Sequence, residues 1–329
     1  MVDAMLRVFG PSCPPAPIDA GQCAALPAAA VWIDLLEPTE EEERLAEAVL
    51  GANIPTRDEM VEIEPSSRLY EKGGVMFLTM GVLFGVDEKE PSSDPISFII
   101  SDQHLVTVRY IDPKPFVVFG DHAYADPSLT VSPLGTLMRL LDAIIDRLAD
   151  ELENSGREIE KVSGHVFQRQ RSGSDRISTD RLEALIMRIG SVQRLLSRVR
   201  ETGVGAIRLL TFLDSCDRVR ADEGAHRHVQ SLVADAQALA DHSTFLADNL
   251  TFLLDASLGL IGIEQNVVMK IFSIVAVVLM PPTLVAGIYG MNFEHMPELK
   301  WDIGYPMAVV IMLLSAIIPY LLARRRGWL

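Results

Sequence analysis

Two uncharged runs near the C-terminus constrain this chain more than any other feature. The first extends from Ile271 to Met291 and the second from Ile303 to Ala323. At ~1.5 Å rise per residue, a helix of either length is roughly 30 Å long, the thickness of a bilayer's hydrocarbon core. Apolar runs of this length are read as membrane spans rather than as a buried hairpin of a soluble core. Pro281 and Pro282 lie inside the first run, and Pro306 and Pro319 near the start and end of the second. In a membrane bundle, neighbouring helices can re-satisfy the carbonyls that proline frees.

The flanks predict an orientation. Arg324, Arg325 and Arg326 follow the second run and Lys270 precedes the first, while the intervening loop carries Glu294, Glu298 and Asp302 against Lys300. The positive-inside tendency places both ends in the cytoplasm and the loop outside. Trp301, Tyr305 and Trp328 fall at the expected interfaces. The three arginines are expected to anchor the tail at lipid headgroups. A basic collar at the inner pore mouth is the sharper alternative. No signal-peptide order opens the chain, so insertion is expected to rely on the two spans.

The expected organisation is an α+β cytoplasmic domain, an α/β sheet with helices, over residues 1–131. A helical stalk over 132–266 follows, then a first span over 267–291, an external loop over 292–304, a second span over 305–323 and a basic tail over 324–329. The chain has 329 residues and a formal net charge of −16, from 29 basic and 45 acidic residues. Nearly all of that charge precedes residue 267. An acidic head repels nucleic acid and attracts cations. Cys13, Cys23 and Cys216 are scattered without metal spacing, consistent with a reducing compartment.

Val31–Leu35, Val75–Phe84, Ile96–Ile100 and Leu105–Tyr110 read as strands, the last two as a hairpin around residues 101–104. Thr39 with Glu42, and Thr56 with Glu59, have capping-box spacing. Gly73-Gly74 is a turn signal. An enzyme would need a nucleophile with its base, or a phosphate loop, and residues 1–130 offer neither. From Ser132 a 3.6-residue period takes over, with one stripe from Leu134 to Leu148 and another from Leu182 to Val199. Ser172–Asp175 separates them. Thr202–Gly205 reads as a further turn, and a third helical pattern begins near Ile207 with an interruption around Asp222–Gly224. No proline occurs from Val229 to Met280, room for one helix of about 75 Å.

At about 100° per residue, Asp255, Asn266, Met269 and Met280 fall within an arc of roughly 60° on that helix. Asp248, Gly262, Ser273 and Gly287 lie on the same side, with Thr283 at its edge. Close helix packing is one reading of this small and polar face. The other is the lining of a pore made by several copies, since two spans per chain enclose nothing alone. The amides of Asn292 and Asn266 and the carboxylate of Asp255 offer oxygen to a hard cation, and no Cys or His lies within the spans. Mg²⁺ dehydrates reluctantly, so such oxygens would contact its water shell. Met269, Phe272 and Met280 could narrow the path apolarly. No resident cofactor is implied. The divalent cation is cargo or regulator.

Gly290-Met291-Asn292, preceded by Tyr289, and the loop Met296-Pro297-Glu298-Leu299 resemble the CorA magnesium-transporter family. The close match covers about the last 65 residues. The resemblance implies a funnel-shaped homopentamer in the cell (inner) membrane, five first spans lining the pore. It places Gly290, Met291 and Asn292 in the outer selectivity filter, with Glu294 and Glu298 in the external loop. Asn266 would form an inner amide ring, Thr283 and Met280 the middle, and Asp255 the funnel. Phe272 departs from the aliphatic residue usual at that gate. Acidic pairs between the family's cytoplasmic domains sense magnesium. Asp87 would be one half, but the other falls near Ser231 with Asp235 a turn away.

The reading is Mg²⁺ influx through a pentameric pore, with Co²⁺ and Ni²⁺ as further candidates. The first rival is a ZntB-like zinc transporter, with or without proton coupling. That branch commonly departs from Met within the tripeptide, so Met291 argues against it. The second is a membrane-anchored sensor that conducts nothing. His226 and His228 have His-x-His spacing but read as solvated helix histidines, as His295 does in the loop.

Overall fold

Near-continuous apolar runs along the central strands, buried on both faces, set the architecture. In the computed structural model, which describes residues 5–11, 13, 25–62, 64, 68–167, 179–291, 296–297 and 301–326, six strands form one sheet. They are β1 (Met5–Phe9), β2 (Trp32–Leu36), β3 (Leu69–Lys72), β4 (Val75–Phe84), β5 (Ser92–Ile100) and β6 (Leu105–Arg109), in the order β1-β2-β6-β5-β4-β3. The β2–β6 pair is parallel and all others antiparallel, so the sheet is mixed. Every residue of the adjacent strands β2 and β6 is buried.

Successive side chains of a strand face opposite sides, and each side carries its own core. Trp32, Met76, Leu78 and Phe98 join one; Ile33, Leu35, Phe77 and Val106 join the other. The second core is closed by α1 (Glu40–Leu50) and α2 (Arg57–Val61), through Ala46, Leu50 and Met60. Both helices start with the expected capping boxes, at Thr39 with Glu42 and Thr56 with Glu59. Gly51, at φ 72°, ends α1 in the left-handed region that glycine adopts without steric cost.

The first core is closed by α3 (Lys114–Ala125), α4 (Pro133–Phe167), α5 (Thr179–Ser215), α6 (Asp217–Arg220) and the start of α7 (Glu223–Tyr289). The stripe of α4 is buried as expected from Leu137 to Leu148. On α5, Ile189, Val192, Leu196 and Val199 are buried, whereas Ile186 is exposed. The break expected at Ser172–Asp175 lies outside the described residues.

Two helix boundaries differ from expectation. Thr202–Gly205 is no turn, because α5 runs through it. Thr202 is fully buried, Gly203 approaches Ala240 of α7, and Gly205 lies against Met80 and Gly81 of β4. These glycines permit close packing of a helix on both sides, which composition alone does not distinguish from a turn. The helical pattern near Ile207 is therefore the continuation of α5. The chain breaks instead at Cys216, which turns extended, and, as expected, at Asp222, whose carboxylate accepts the Gly224 and Ala225 amides at 2.9 and 3.1 Å. Strands β1 and β3 and helix α3 were not expected individually.

A buried ion-pair network ties β1, β2 and β6 together. Asp34 and Arg109 are both 0% exposed and meet at 2.9 Å, and Arg7 reaches the same carboxylate at 2.8 Å. Thr107 donates to Asp34 at 2.7 Å and receives the Trp32 indole N–H at 2.9 Å. Burial pushes the Asp34 carboxyl up, but the charges of Arg109 and Arg7 and these hydrogen bonds outweigh it and hold it below its ordinary value.

The chain divides into two compact units, Met1–Leu253 and Leu254–Leu329. The second contains the end of α7 and α8 (Gly304–Arg325). Pro281 and Pro282 sit inside α7 and Pro319 inside α8.

Candidate functional site

In the C-terminal unit the apolar side chains point outward. None of the most apolar stretch of α7, and 6% of that of α8, is buried within the chain. Met269, Phe272 and Met280 are 64%, 68% and 70% exposed. Asp255, Asn266 and Thr283 are exposed as well. A Cβ at Gly262 or Gly287 would meet nothing within 4 Å, so the small-residue side of α7 is open to close approach. Helices that expose apolar side chains in this way require lipid or other copies as cover.

The candidate residues fall on neighbouring parts of this surface. Met280, Thr283, Gly287 and Met291 line one shallow groove on α7. Asn266, Met269 and Ser273 instead border a groove shared with Pro319 and Leu322 of α8 and with Arg326, just past its end. The Thr283 hydroxyl donates to the Leu279 carbonyl at 2.7 Å, and Ser273 to that of Met269 at 2.8 Å. Both keep oxygen lone pairs available. α7 closes at Gly290, whose amide donates to Ala286 O at 2.9 Å, and the Met291 amide donates to Ile288 O at 3.2 Å. Asn292, Glu294, His295 and Glu298 lie outside the described residues.

In the N-terminal unit, Asp87 faces Lys114 at 3.4 Å and Arg147 at 3.3 Å. Slight burial raises its pKa, but those two cations outweigh it and lower it overall. Arg147 also pairs with Glu151 at 2.8 Å. Lys114 and Arg147 are 27 and 60 residues from Asp87, a pairing that no sequence spacing signals. Asp235 belongs to a different group. Burial, then the carboxylates of Asp142, Asp150 and Asp235, hold Asp146 above its ordinary value. Among the described residues, no three of His, Cys, Asp and Glu come together as a metal cage. The His-x-His residues separate, His226 to Asp214 at 3.2 Å and His228 to Asp142 at 3.3 Å. They are half-buried partners of carboxylates rather than solvated.

A family model described as CorA-like Mg2+ transporter protein matches residues 27–325. The chain belongs to the CorA family. Magnesium transport protein CorA of Salmonella typhimurium is 33% identical over 300 residues, covering 91% of this chain and 92% of that protein. The Escherichia coli K12 protein of the same name matches equally. Among solved structures, the complete CorA magnesium transporter of Methanocaldococcus jannaschii has a TM-score of 0.78 at 20% identity, covering 100% of this chain and 99% of that one. The cytoplasmic domain of ZntB from Vibrio parahaemolyticus matches with a TM-score of 0.54 at 10% identity, over 77% of this chain and 96% of that domain. The CorA fold thus unites the mixed-sheet N-terminal domain, the long helices and the two C-terminal apolar helices. Membership makes this chain a magnesium and metal-ion transport protein with transmembrane helices.

Proposed function

We propose that this chain admits Mg²⁺ through the axis of a homopentamer, with the spans of α7 around the pore and those of α8 outside. The observation that carries the reading is the uncovered apolar surface of both helices, together with the open side at Gly262 and Gly287. In this assembly Gly290, Met291 and Asn292 form the outer filter, with amide oxygens facing the ion's water shell. Glu294 and Glu298 attract cations to the external mouth. Thr283 and Met280 line the middle, Phe272 and Met269 make an apolar constriction, Asn266 supplies an inner amide ring and Asp255 lies in the funnel. Both termini are cytoplasmic. The inside-negative potential then favours entry by ~2.3 kcal/mol per charge per 100 mV.

Regulation by internal Mg²⁺ is expected to be weak. The Asp87 carboxylate already faces two cations, which a divalent ion would have to displace. The test is uptake into proteoliposomes with Mg²⁺, Co²⁺, Ni²⁺ and Zn²⁺ in competition at two pH values, alongside subunit counting by native mass spectrometry. Mg²⁺ uptake by a five-subunit species, little reduced by millimolar internal Mg²⁺, is the expected result. Zn²⁺ uptake that tracks a proton gradient would favour the ZntB-like alternative. No flux of any ion would leave a membrane-anchored sensor.

A further inference from the structure

The N-terminal unit holds a pocket of about 550 Å³ where α5 meets β4 and β5, and transport gives it no role. Two glycines make the room. A Cβ on Gly205 would lie 3.5 Å from Met80 Cβ and 3.9 Å from the Gly81 backbone, and a Cβ on Gly81 would lie 2.7 Å from Ser93 Oγ. Arg68, Arg200 and Arg208 line the pocket, with Leu69, Met80 and Val204 as its apolar part.

Three arginines in one small pocket run against a chain with 45 acidic and 29 basic residues. The acids that share the lining are engaged with other cations. Glu201 pairs with Arg198 at 2.7 Å, and Asp94 with Arg57 at 3.8 Å. Arg68 donates to the Val61 and Glu62 carbonyls. Arg200 and Arg208 have no hydrogen bond or ion pair with any described residue. Ser93 Oγ is buried and equally without a partner among the described residues. Buried hydroxyls are normally satisfied, so this one points to a ligand. A guanidinium fork fits phosphate oxygens bidentately, and the pocket volume is that of a small-molecule site.

We propose that this pocket binds a nucleoside phosphate. Arg200 and Arg208 take the phosphate oxygens, Ser93 adds a hydroxyl, and Leu69, Met80 and Val204 cover the flat base. Inorganic phosphate satisfies only the arginine half. The site is independent of the pore assignment.

Isothermal titration of the full detergent-solubilised chain, in EDTA, with ATP, AMP and inorganic phosphate tests the proposal. ATP should bind more tightly than AMP, and AMP more tightly than phosphate. The double substitution Arg200→Ala/Arg208→Ala should weaken ATP by at least about tenfold, because charge-assisted bonds are the strong ones. Arg194→Ala, on the same helix but outside the pocket, should leave binding unchanged. Val204→Trp should block both nucleotides by filling the space. Absence of ATP binding at millimolar concentration, or undiminished binding in the double variant, overturns the site. Phosphate binding as tight as that of AMP overturns the nucleotide assignment.

Discussion

The two units treat apolar surface in opposite ways. In the N-terminal unit it is enclosed on both faces of one sheet, and even the charged side chains at its centre, Asp34 and Arg109, are fully buried against each other. In the C-terminal unit Met269, Phe272 and Met280 stand exposed, and no residue of the most apolar stretch of α7 is buried. The first unit's order is therefore supplied by its own chain. The second unit's order has to come from the bilayer and from neighbouring copies.

The largest effect should come from breaking the buried pair. Asp34→Ala leaves Arg109 buried with its main partner gone, and should cost about 3–5 kcal/mol. Thermal unfolding followed through Trp32 fluorescence, in a background carrying Trp301→Phe and Trp328→Phe, reads this in the first unit alone. The depressed Asp34 carboxyl also sets a pH dependence. Its stabilisation is present above the ordinary value of 3.8 and is lost as pH falls through its lower folded value. Asp34→Ala should therefore show a shallower acid loss. An unaltered acid limb would show that the network is not what makes this unit self-sufficient.

Asn292→Ala should do the reverse. Mg²⁺ uptake should fall by about tenfold or lose selectivity, equivalent to ~1.4 kcal/mol in the barrier, while subunit count and Trp32 unfolding stay as they were. Unchanged uptake by a correctly assembled variant would remove Asn292 from the filter. The smallest effect should follow Thr39→Ala, which removes one capping box of α1. It should cost about 1 kcal/mol of N-terminal stability and leave transport untouched. A transport defect from that substitution would mean that the units are not energetically separate.

The same division explains what could be read in the sequence. Spans, the long proline-free helix and capping boxes depend on local composition and spacing, so Thr39, Thr56 and the run from Ile271 were legible. Helix α5 was misread because Gly203 and Gly205 serve contacts with Ala240 and Met80, which are remote in sequence. Strands β1 and β3 are short, and β1 gains its place by pairing with β2 across a long gap. The partners of Asp87 were invisible for the same reason. The proposed pore residues were legible only as a helical stripe joined to a family resemblance, and Asn292 lies beyond the described residues.

Pro281 and Pro282 carry one last consequence. Neither has an N–H to give, so the carbonyls of Val277 and Val278, four residues back, lose their ordinary helical donors. Adjacent missing rungs make this the most compliant point of α7 within its apolar stretch. A bend imposed on that stretch should concentrate there, close to Met280 and Thr283, as in a rod notched at one place. The middle of the proposed passage, lined by Met280 and Thr283, would then lie beside the joint most able to change its width.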